Sequence, residues 1–125
     1  MRRELLILDE IVEAGERAVA IVRGRSVEEL RGDLNARDAL LWNMTVIGEA
    51  TNQLPDSLRD AHPDVPWRQP IALRNRIVHG YWGIDLEVVH TAALVGTAGL
   101  RASGPRGPPR GGSRRGLSPA ESFSV

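Results

Sequence analysis

The sequence predicts an all-α fold: an up-and-down bundle of four to five helices over residues 1–100, followed by a Gly/Pro/Arg-rich tail over 101–125. Three observations carry this. Apolar residues recur at three- and four-residue steps through most of the first hundred positions. No stretch sustains the apolar–polar alternation of a half-buried strand. Capping residues, Gly and Pro cut the chain into helix-length pieces joined by short connections.

The first helix is expected over 2–23, where Leu5, Leu8, Ile11, Val12, Gly15, Val19 and Val22 form the inner stripe and Glu10, Glu13, Glu16 and Arg17 lie on other faces. Gly24 ends it. Ser26, with Glu29 three residues on, reads as a capping box, so a short helix starts at Val27. Asn35 or Asp38 starts a second long helix, roughly 36–53, with Leu40, Met44, Ile47, Thr51 and Leu54 inside and Pro55 as its stop. "DSLRDAHPDVPW" reads as a short helical turn and a proline-marked loop. Helical spacing resumes over 67–79 through Ile71, Leu73, Ile77 and Val78, and Gly80 closes that run. Asp85 is placed to cap a last helix from Leu86 to about Leu100.

At 125 residues the chain is one domain's worth and can bury a modest core. It has no cysteine, which excludes disulfides, thiolate nucleophiles and cysteine-bearing zinc sites. The longest nearly apolar run, Leu86 to Leu100, contains Glu87 and His90 and is too short to span a bilayer. "MRRE" leads into "LLIL" and then into acids rather than a cleavage site, so a soluble, cytoplasmic protein is expected. All 16 basic residues are arginine, and they are unevenly spread. Residues 1–100 hold 11 Arg against 15 Asp and Glu, while 101–125 hold 5 Arg and one Glu. The body is therefore acidic overall, and any contact with a nucleic acid must be local.

"RNRIVHGYW", Arg74 to Trp82, concentrates the chemistry. Arg74 offers a planar, permanently charged fork that matches phosphate oxygens. His79 can give and take a proton near neutrality. Asn75, four residues before His79 and on the same helix face, can orient the imidazole. Tyr81 adds a phenolic hydroxyl at the same end. A phosphate clamp, a proton shuttle and an orienting amide are the parts that metal-free phosphodiester cleavage requires. Arg74 and His79 are five apart, about 140° around a helix, so they do not lie side by side by spacing alone. Either the helix ends near His79 and the ring turns back, or a second subunit completes the site. Arg76 reads as a solvated residue, and Tyr81 and Trp82 equally well as core or rim aromatics. Glu49 reads as a buried acid paired with an arginine across helices, His62 as loop surface, His90 as packing or surface.

Three blocks stand in an order and spacing that resemble the HepT family of the HEPN superfamily: "IGEATNQLP" (Ile47 to Pro55), "HPDVPW" (His62 to Trp67) and "LRNRIVHGYWGIDLEVV" (Leu73 to Val89). The likeness covers about residues 1–90. The last block holds Arg-x4-His-x-Tyr as Arg74, His79 and Tyr81, with the polar residue after the arginine supplied by Asn75. The resemblance implies a helical-bundle homodimer, the toxin of a two-gene type VII system, with a composite endoribonuclease site in the dimer cleft. It implies no metal and no cofactor. It assigns catalysis to Arg74 and His79, support to Asn75, and Tyr81 as the residue that an MNT-type nucleotidyltransferase antitoxin modifies with AMP. RNA is the implied substrate. The rival reading is a noncatalytic nucleotide- or protein-binding HEPN module, or an inactive remnant.

After about Val89 the resemblance stops. Where relatives carry a charged amphipathic helix, this chain reads "HTAALVGTAGLRASGPRGPPRGG". A change of reading frame near the end of the gene explains such a stretch; a genuine basic tail attracting RNA is the alternative. With so little to bury, residues 101–125 are expected to be disordered.

Overall fold

A computed structural model of the chain describes residues 2–103, with side chains described as far as residue 95. Among the described residues there are six α-helices, one 3₁₀ turn and no strand. The helices are α1 (Arg2–Val22), α2 (Val27–Arg31), α3 (Leu34–Asn52), α4 (Asp56–Ala61), α5 (Arg68–His79) and α6 (Leu86–Ser103), with the 3₁₀ turn at Tyr81–Gly83. Four of them are long and make the body. The two short ones, five and six residues, bring the number above the four or five expected. The last helix runs to Ser103, three residues into the expected tail; 104–125 lie outside the described residues. No helix among the described residues is long and apolar enough to cross a membrane.

Central to the bundle is α3, packed on α1 and α5, while α6 lies against α1. Its expected stripe is the core: Leu40, Met44, Ile47, Thr51 and Leu54 are all buried. Removing side chains of this size from water stabilises the fold by about 1.5–3 kcal/mol each. Thr51 turns its hydroxyl onto the Ile47 carbonyl at 2.7 Å, so a buried polar group is satisfied. The N-cap of α3 is Asp33, which accepts from the Ala36 amide at 3.1 Å, rather than Asn35 or Asp38. Both lie inside the helix, because the Asp33 carboxylate reaches the orphan amide first.

The inner face of α1 also differs from expectation. Ile7, Ile11, Ala14, Gly15, Ala18, Val19 and Val22 are buried, whereas Leu5 and Val12 are exposed. Ala14 and Ala18 are wholly buried, so the inner face is centred on them and not on the leucines before them. Arg17 donates to Asn43 Oδ1 at 2.9 Å, and Asn43 in turn donates to the Ala39 carbonyl, a polar clasp between α1 and α3. Ser26 and Glu29 form the capping box of α2, with both of its hydrogen bonds present. Gly24, at φ 77°, supplies the left-handed residue that ends α1. Asp85 caps α6 through its carboxylate to the Glu87 amide at 3.0 Å. His90 Nε2 lies 2.7 Å from the Arg25 carbonyl and ties α6 to the turn after α1.

Candidate active site

Gly48 sets the distance between α3 and α5. A Cβ built on it would sit 2.2 Å from Arg74 Cβ and 2.5 Å from the Pro70 carbonyl oxygen, so the two helices meet where one has no side chain. At the other end of the pair, Arg37 near the start of α3 donates to the Tyr81 carbonyl just past the end of α5, at 2.8 Å. The two helices therefore run antiparallel, with their exposed stripes side by side. On α3 the stripe is Asp38, Trp42 and Glu49 with Thr45 half-buried between them; on α5 it is Asn75 and Val78 with Arg74 half-buried beside them.

Arg74 is the centre of this face. Its Nη2 pairs with Glu49 Oε1 at 3.1 Å, and its Nη1 donates to Asn75 Oδ1 at 2.9 Å. Its Nε is buried and has no acceptor among the described residues. Glu49 does pair with an arginine across helices, as its sequence position suggested, but from an exposed site and not a buried one. An anionic ligand at Arg74 would meet a guanidinium already aimed by two partners, with donor capacity left over.

His79 is the last residue of α5 and is exposed. No hydrogen bond or ion pair joins it to Arg74 or to Asn75, whose carbonyl oxygen is engaged by Arg74 instead. Within one chain, then, the structure brings Arg74 and Asn75 together and leaves His79 separate, at the C-terminal end of the helix.

Tyr81 turns away from His79 toward the start of α3. Its hydroxyl donates to Asp38 Oδ1 at 2.5 Å. Burial first, and then the Asp38 carboxylate that accepts its proton, push the Tyr81 phenol above its ordinary value of 10.0. Beneath the turn lies the buried Arg37 guanidinium, 5.0 Å from the Tyr81 ring centroid and 5.0 Å from that of Trp82. The two rings meet edge to face at 5.2 Å. Arg37 and Asp38 were missed in the sequence because their partner is 43 or 44 residues away, and no local spacing announces such a contact. Trp82 resolves to the rim: it is 75 % exposed.

Three curated relatives align with most of the chain. A Thermococcus cleftensis protein named "Probable ribonuclease HepT" is 30 % identical over 82 residues, covering 66 % of this chain and 74 % of that one. A Caldanaerobacter subterraneus protein named "Putative RNase" is 29 % identical over 87 residues, 70 % of this chain and 78 % of its own length. A Methanocaldococcus jannaschii protein with the same style of name is 29 % identical over 82 residues, 66 % of this chain and 68 % of that one. No solved structure matches the chain. The model of the family described as "Ribonuclease HepT-like" matches residues 10–96, seven positions beyond Val89, where the resemblance read from sequence stopped. With that match spanning the α3–α5 face and the Arg-x4-His-x-Tyr segment, the chain belongs to the HepT-like ribonuclease family.

Proposed function

We propose that this chain is a metal-independent endoribonuclease, the toxin of a type VII toxin–antitoxin pair, working as a homodimer. The observation that carries the reading is Arg74, fixed on the exposed α3–α5 face by Glu49 and Asn75. His79 lies five residues further along the same helix with its ring free for substrate. The 2′-hydroxyl of RNA attacks the adjacent phosphorus, the bond to the 5′-oxygen breaks, and a 2′,3′-cyclic phosphate results. His79 takes the proton from the 2′-hydroxyl, or in the complementary role gives one to the departing 5′-oxygen. Arg74 holds the phosphate and offsets its growing negative charge. Asn75 supports the arrangement through Arg74, a different route from the imidazole contact expected of it.

The separation of Arg74 from His79 in one chain supports a composite site made by two copies. Trp42 and Val78, exposed on the two stripes, offer apolar surface for a two-fold contact. Neutralisation acts at Tyr81: an MNT-type nucleotidyltransferase transfers AMP from ATP to its oxygen, the phenol losing its proton as the bond to pyrophosphate breaks and pyrophosphate leaves. The product loses the hydrogen bond to Asp38 and sets a phosphodiester charge beside that carboxylate. The adduct is driven outward, into the space that RNA phosphate must use.

His79→Ala in the purified dimer should lower RNA cleavage by about 10²–10⁴-fold, the usual worth of a general acid or base. Cleavage at an unchanged rate would remove the mechanism. Mass spectrometry of chain co-produced with its nucleotidyltransferase should find AMP on Tyr81; inactive protein with a bare Tyr81 would sink the neutralisation scheme.

A further inference from the structure

Trp82 is a large aromatic side chain with three quarters of its surface in solvent, yet it is not a loose one. It sits in the 3₁₀ turn closed by the Gly83 amide on the Gly80 carbonyl at 3.0 Å. The Arg37 guanidinium pins that turn by its bond to the Tyr81 carbonyl and lies 5.0 Å from the Trp82 centroid. Tyr81 fixes the ring from the side, in an edge-to-face contact at 81°. Arg37 itself is buried, with an ion pair to Asp38 at 3.3 Å, so the support under the indole does not move with solvent. A cation against one face of an indole draws π density toward itself and leaves the outer face better suited to a flat, electron-rich partner. A held aromatic plane with an open face, three residues beyond the proposed proton-transfer group, is what an unpaired base needs in order to stack.

We propose that Trp82 is a base-stacking platform that selects single-stranded RNA, holding the base beside the scissile phosphate. This rests on the ribonuclease reading above and deepens it, because it names the substrate class. In a duplex both faces of every base are already stacked, so the platform has nothing to hold. In a single strand one base can leave its neighbours and lie on the indole, which places its ribose and phosphate near His79.

The test uses the full-length chain and short single-stranded RNAs that differ by one abasic ribose at each position around the cut. Trp82→Ala should raise KM about tenfold on intact RNA with little change in kcat, in line with the measured worth of one base–aromatic stack. Trp82→Phe should recover most of the loss. An abasic ribose at one flanking position should produce the same weakening in the unaltered chain, and should make Trp82→Ala without further effect there. If Trp82→Ala weakens intact and abasic RNA alike at every position, the platform is overturned while the ribonuclease stands. If the variant sediments as a monomer where the unaltered chain is a dimer, the ring is a subunit contact and the proposal also falls. If the unaltered chain cleaves no RNA, the ribonuclease reading fails first and takes this inference with it.

Discussion

Tyr81 is the chain's sole tyrosine, so its titration can be followed without interference from another phenol. Its hydroxyl is held in the protonated state by burial and by the Asp38 acceptor, while Arg37 below pulls weakly the other way. The phenolate absorbance should therefore rise with a midpoint above 10.0 in the folded protein. Asp38→Asn should move that midpoint down, since it removes a negative charge that opposes ionisation. A group whose folded pKa is raised contributes stability that is complete below the unfolded pKa and disappears as pH climbs through the folded one. The advantage of the unaltered chain over Tyr81→Phe should accordingly be constant at neutral pH and vanish only on the alkaline side of about pH 10. Paired denaturation curves across that range check it; an advantage that falls between pH 6 and 8 would mean some other group is responsible. The chemistry of this corner was half visible in the sequence. The phenol was picked out by its motif, but its acceptor and its buried cation come from a helix 43 residues earlier and carry no spacing signal.

Between elements, the decisive feature is the contact of α3 and α5 at Gly48. Alanine there would meet backbone at Pro70 and the Cβ of Arg74, neither of which is the flexible end of a side chain. Helices α3 and α5 must separate to admit it, which breaks the Glu49–Arg74 pair as well as core packing. Gly48→Ala should cost about 3 kcal/mol of stability, the upper end of the usual overpacking range, and should depress cleavage even at temperatures where the variant is folded. Denaturant midpoint and residual activity together test this; a variant with unchanged midpoint would show that the helices are not in close contact. Elements of this kind were legible where large apolar residues carried the pattern. The α3 stripe of Leu40, Met44, Ile47, Thr51 and Leu54 is buried throughout. The α1 stripe was misjudged where leucines abound, because alanine at 14 and 18 weighs little in an apolar pattern yet is wholly buried. Gly48 gave no such sign: a glycine inside a helix looks the same in sequence whether it permits a contact or merely weakens a turn.

At the scale of the whole molecule, one chain holds both residues of the proposed catalytic pair without uniting them. Arg74 is anchored to α3 by Glu49, and His79 stands free at the far end of α5. Two copies facing across a two-fold axis would juxtapose the arginine of one with the histidine of the other, twice. That arrangement has a consequence no single-chain site shares. Arg74→Ala and His79→Ala proteins, each inactive alone, should regain activity when unfolded, mixed and refolded together. Half of the dimers formed at random are mixed. Each mixed dimer holds one site with both groups intact and one with neither, so recovery should approach about a quarter of the unaltered activity. If arginine and histidine act from the same chain, every site in every dimer lacks one group and the mixture stays dead. Both single variants keep the same acidic body, 11 Arg against 15 carboxylates in residues 1–100, and the same arginine-rich tail, so any RNA held outside the cleft is common to the separate and the mixed proteins. Recovery in the mixture therefore reports the composite site itself.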